Sequence, residues 1–159
     1  MTLATVAALL VAIGAFIALK PADETIPRDR YTISADRICL EAKRQIVATE
    51  RRSLRGHDPA PGAFSRDLVP VVSTWRSEFQ ALRVPGDRLE QAQALTLALQ
   101  RVEIELAALS LVADKGNSAA TLKQARQVDA ATGVVEEAVA ALNLERCAGQ
   151  TIGFAKPQS

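Results

Sequence analysis

The sequence predicts an all-α protein, with an N-terminal single transmembrane helix followed by an up-down four-helix bundle. Three observations predict it. An apolar run opens the chain, four later segments place hydrophobic residues every three or four positions, and two cysteines bracket those segments.

The seventeen residues from Leu3 to Leu19 carry no charge, no proline and no side-chain amide. As a helix the run spans about 25 Å, and Met1 and Thr2 bring it close to a hydrocarbon core of about 30 Å. Its Leu, Val, Ile and Phe side chains lie on every side of the helical wheel, which suits lipid rather than one half-buried face. A cleaved signal peptide needs small residues one and three positions before the cut. Cleavage after Ala22 puts Lys20 at the third position, cleavage after Ala18 puts Phe16 there, and no cysteine follows the run to accept a lipid. Residues 1–20 are therefore expected as a retained signal anchor in a plasma membrane, and 21–33 as a linker. Lys20, Arg28 and Arg30 follow the run and no basic residue precedes it, so the positive-inside rule taken alone leaves the body in the cytoplasm.

The body, 34–147, reads as helix throughout. The first helix is expected over roughly 34–54, with Ser34 as N-cap and Ala35, Ile38, Cys39, Ala42, Ile46 and Thr49 on one face. Gly56, Pro59, Pro61 and Gly62 break the chain. The second helix is expected over 66–83, with Leu68, Val71, Val72, Trp75, Phe79 and Leu82 as its stripe and Pro70 in its first turn. Pro85 and Gly86 end it. The third, 88–115 after Asp87, carries Ala92, Leu95, Leu99, Val102, Leu106, Leu109 and Ala113. Gly116, Asn117 and Ser118 form a turn and cap, and the fourth, 119–145, carries Ala125, Val128, Thr132, Val135, Val139 and Leu142. Sustained coiled-coil-like heptads with short connections suit antiparallel packing at small crossing angles. Residues 148–159 read as a tail.

Cys39 lies near the start of the first helix and Cys147 just past the fourth. In an up-down bundle these two points share one end, so a disulfide is geometrically allowed, with two buried free thiols as the alternative. Disulfides persist mainly outside the cytoplasm, which sets the cysteines against the flanking charges and favours an extracytoplasmic body.

Candidate chemistry is sparse. His57 is the only histidine, so a di-iron bundle site with its Glu-x-x-His spacing is not encoded, and Met1 is the only methionine, so haem ligation has little to draw on. There is no Gly-rich phosphate loop and no nucleophile elbow. One Trp, one Tyr and four Phe give little for base stacking, and Trp75 and Phe79 fall on the core stripe. No catalytic residue, metal or cofactor is expected, and neither enzyme activity nor nucleic-acid binding. Charge is uneven: residues 28–55 hold eight Lys or Arg against four Asp or Glu, and 87–147 hold six against nine. The first helix therefore offers either a face toward anionic lipid or simply a solvated basic face. On the third helix Leu97, Ile104 and Leu111 recur every seven positions opposite the core stripe, a candidate contact surface for a homodimer, a partner helix or an apolar ligand.

Ser34-Ala35-Asp36-Arg37-Ile38-Cys39 opening a helix, Leu82-Arg83-Val84-Pro85 closing the second, and Ala141-Leu142-Asn143-Leu144-Glu145-Arg146-Cys147 near the end together form a recognisable pattern over roughly 34–148. The chain resembles a group of uncharacterised small exported or membrane-anchored helical-bundle proteins of high-GC Gram-positive bacteria with a terminal cysteine pair. The resemblance implies extracytoplasmic exposure and pairing of Cys39 with Cys147, and it brings no catalytic residues. This chain departs from members that have a basic segment before the apolar run or a lipid-accepting cysteine. The expected function is a non-enzymatic interaction or structural module of the cell envelope, binding an envelope protein or itself. Two alternatives are a carrier or sensor of a small apolar ligand, with room left by Ala125, Thr132 and Gly133, and a phage spanin-type lysis protein.

Overall fold

The computed structural model describes residues 29–54 and 61–147. They form α1 (Arg30–Leu54), α2 (Pro61–Gln80), a short 3-10 turn (Gly86–Arg88), α3 (Leu89–Asp114) and α4 (Ser118–Ala141), with no strand among the described residues. α1 packs on α2, and α2 and α4 flank α3. Arg88, at the start of α3, bonds Asp29 at 3.0 Å and Thr32 Oγ1 at 2.8 Å at the start of α1. At the other end Arg66, in the second turn of α2, pairs with Asp114 at the close of α3. The helices therefore alternate in direction, as short connections between long helices require.

The stripes that the periodicity picks out become the core. Ala35, Ile38, Cys39 and Ala42 of α1 meet Leu68, Val72, Trp75 and Phe79 of α2, Leu95, Leu99, Val102, Leu106 and Leu109 of α3, and Val128, Val135 and Val139 of α4 in one buried cluster. Each fully buried Leu or Val contributes about 1.5–3 kcal/mol relative to exposure.

The helix ends depart from expectation. α1 begins at Arg30, so Ser34 lies inside it. The cap is Asp29, whose Oδ1 accepts the Thr32 N–H at 2.7 Å. α2 begins at Pro61, a first-turn position where a missing N–H is harmless, and so Pro70 falls in mid-helix with its ring exposed. α3 starts after a 3-10 turn that contains Asp87, and Arg88 stands at its cap position without a side-chain capping bond to the helix. Asn117 caps α4 as expected, accepting the Ala120 N–H at 3.0 Å. α4 ends at Ala141, short of 145. Asn143 adopts φ 54°, Leu144 N–H reaches Val139 O at 3.2 Å and Asn143 N–H reaches Ala140 O at 3.0 Å, a left-handed helix stop with Leu144 and Val139 both buried.

One glycine is set by close approach. A Cβ on Gly62 would lie 3.2 Å from Ser110 O and 3.3 Å from Ala113 Cβ, so α2 and α3 meet backbone to backbone at that end. The expected membrane span 1–20, His57 and the tail 148–159 lie outside the described residues. Among the described residues no helix is long and apolar enough to cross a membrane.

Candidate contact surface

α3 is the central helix, and its two faces have opposite character. Leu95, Leu99, Val102, Leu106 and Leu109 point inward and are almost fully buried. Leu97, Ile104 and Leu111 point outward, 65, 52 and 65% exposed. Seven residues advance a helix about 10.5 Å and almost two turns, so the three side chains form a line about 21 Å long. The structure thus keeps the seven-residue stripe on the surface.

The positions between them extend the stripe. Glu90, Ala94, Leu97, Arg101, Ile104, Ala108, Leu111 and Lys115 alternate by four and three along α3, and all but the half-buried Ala108 are exposed. Arg101 folds back along its own helix onto Glu105. Glu105 is buried and also accepts from Gln124 of α4, so its charge is met from two sides. On the other flank Arg76 of α2 pairs with Glu103 at 3.1 Å. The two pairs between helices, Gln124–Glu105 and Arg76–Glu103, brace α3 against α4 on one flank and α2 on the other.

At its N-terminal end the stripe runs into an open groove of about 380 Å³ between α2 and α3, lined by Phe79, Val84, Leu89 and Leu97 among others. Leu89 and Val84 carry no periodic signal that singles them out. Their neighbourhood depends on the turn that Pro85 imposes.

Cys39 and Cys147 are joined, with Cα atoms 5.0 Å apart. Nearby, the start of α1 is held by charge. Asp29 has its carboxyl held below the usual range by the Thr32 backbone N–H, with the Thr32 hydroxyl and Arg88 adding to the effect against a desolvation that opposes it. Arg88 lies over the Tyr31 ring, 6.0 Å from its centroid, and burial pushes the Tyr31 phenol up. The Arg88 clamp escapes sequence reasoning because it links side chains 59 positions apart, and no local pattern marks it.

Ala125 and Thr132 are buried, and Ala125 lines an open groove of about 370 Å³ with Leu109 and Leu122. A Cβ at Gly133 would meet nothing within 4 Å, which places that residue away from the packed interior. Thr132 and Gly133 do not line that groove. No cluster of three or more metal-ligating side chains occurs among the described residues. No family model, no curated protein and no solved structure matches the chain.

Proposed function

We propose that this is a single-pass membrane protein of the cell envelope whose helical body, outside the cytoplasm, is a non-enzymatic contact module that pairs with a second copy of itself. The observation that carries the reading is the exposed line of Leu97, Ile104 and Leu111 on an otherwise well-packed helix. Its spacing suits an antiparallel helix pair about a two-fold axis. Ala94 then faces Leu111, Leu97 faces Ala108 and Glu90 faces Lys115, so small meets large and acid meets base, while next to the axis Ile104 faces the stem of Arg101, each contact occurring twice. The apolar run Leu3–Leu19 supports the membrane location, and the joined cysteines support an oxidising compartment.

Replacing Leu97, Ile104 and Leu111 together by Gln tests the pairing. Light scattering in detergent is expected to give a dimer for the native chain and a monomer for the variant, with equal helicity by circular dichroism. Equal mass for both rejects it. Compartment is tested by a membrane-impermeant thiol reagent on intact cells. Labelling only after reduction is expected, and labelling only after lysis, without reductant, overturns the external location.

A further inference from the structure

α1 has an outer face that neither the core nor the α3 surface uses. Its arginines Arg30, Arg37, Arg44 and Arg51 stand seven positions apart and are all exposed. A second row, Ile33, Leu40 and Val47, follows the same period one turn along. Ile33 is 57% exposed, and Leu40 and Val47 are half-buried. At 100° per residue both rows lie opposite Ala35, Ile38, Cys39 and Ala42, so they cannot serve the core. Lys43 and Arg52 add to the basic side, giving six basic residues on α1. Its acids are three: Asp36 is buried, Glu41 lies 3.5 Å from Arg44, and Glu50 stands beside Arg51 in sequence.

We propose that this face of α1 lies on an anionic bilayer surface, with Ile33, Leu40 and Val47 entering the headgroup boundary and the arginine row meeting lipid phosphates. Interleaved apolar and basic rows distinguish this face from a merely solvated one. Arginine snorkels, burying its stem while its guanidinium stays with the phosphates in a bidentate fork. At the far end of α1 an open groove of about 560 Å³, lined by Gln45, Arg51 and Arg52 among others, offers a headgroup two guanidiniums, that of Arg52 held at 3.0 Å by the buried Thr49 hydroxyl. Nucleic acid would use the cations but gains nothing from the aliphatic row. The inference rests on the membrane reading above for its geometry: nine residues separate Lys20 from Arg30, a reach of about 30 Å at most. The lipid face lies on α1 and the Leu97–Ile104–Leu111 face on α3, two helices whose backbones do not adjoin.

The test uses the full chain carrying Ile33→Trp, with the native Trp75, buried in the core, as an internal reference. It is reconstituted in vesicles of brominated phosphatidylcholine, with or without about 30% phosphatidylglycerol. Expected is strong quenching and a blue shift of the new tryptophan on anionic vesicles only, lost in about 0.5 M salt, where the screening length falls to roughly 4 Å. Adding Arg30→Gln, Arg37→Gln, Arg44→Gln and Arg51→Gln is expected to reduce quenching to the neutral-vesicle level. The salt arm needs no such variant and stands if the variant fails to fold. Equal quenching on both vesicle types, or none on either, overturns the proposal. Heparin binding that survives Ile33→Ser, Leu40→Ser and Val47→Ser, with no quenching on anionic vesicles, overturns it in favour of a polyanion. Flotation with neutral vesicles but no anionic quenching removes the α1 contact and keeps the anchor. Anionic quenching without neutral flotation does the reverse.

Discussion

The backbone N–H of Arg146 donates to Asp36 Oδ1 at 3.0 Å, joining residues 110 positions apart one helical turn from the Cys39–Cys147 disulfide. The segment after α4 is thus held against α1 by a hydrogen bond and a covalent bond together. The disulfide closes a loop of 108 residues, for which chain entropy gives up to about 4.7 kcal/mol. The double variant Cys39→Ser with Cys147→Ser is expected to lose about 2–5 kcal/mol by urea denaturation. Reductant should bring the native chain to the same midpoint. An unchanged midpoint on reduction would show that the bond adds no stability.

Asn143 sits in the left-handed region at φ 54°, where glycine is free of the Cβ penalty. Asn143→Gly is expected to stabilise the bundle by a few tenths to about 1 kcal/mol, and Asn143→Val to destabilise it by about 1–2 kcal/mol. Thermal midpoints of the two variants should fall on opposite sides of the native value.

Tyr31 is the only tyrosine, so phenolate absorbance reports it alone. Burial raises its pKa above the ordinary 10.0 in the folded protein. The unfolded chain therefore releases this proton first, and stability is full below pH 10 and falls as pH rises from there through the folded value. The alkaline titration of the native protein should begin later than that of the protein in denaturant. Tyr31→Phe should remove this part of the alkaline loss. Identical titrations in both states would refute the linkage.

The close approach at Gly62 gives a steric counterpart. A Cβ there meets the Asp114 carboxylate at 2.5 Å, which can swing aside, but also the Ser110 backbone carbonyl at 3.2 Å, which cannot. Gly62→Ala is expected to cost about 1–3 kcal/mol. Removing the carboxylate with Asp114→Ala should relieve little of that cost, as a double-mutant cycle would measure.

Residues such as Leu95, Leu99, Val128 and Val135 were legible in the sequence because burial of a helix face depends on its period alone. Helix ends were less so. Ser34 has the right side chain for an N-cap, but Asp29 caps α1, because its carboxylate also meets Arg88, a partner the local sequence cannot display. Pro70 suggested a first turn, yet Pro61 occupies that place and α2 runs through Pro70 with its ring toward solvent. The α3 contact line was visible because its seven-residue repeat opposes the core stripe. The groove beside it was not, since Val84 and Leu89 reach it from either side of a turn.

The shared end of the bundle also sets how the protein responds to pulling. Tension applied between Asp29 and Cys147 passes through α1 only as far as Cys39 and then crosses the disulfide. The 108-residue loop behind that bond lies off this covalent path. What can extend is the opening stretch of α1, which the Asp29–Arg88 pair fastens to α3. A tether entering at Asp29 could therefore drag the body without unravelling its core, while reduction of one bond would expose every helix in turn to the same pull.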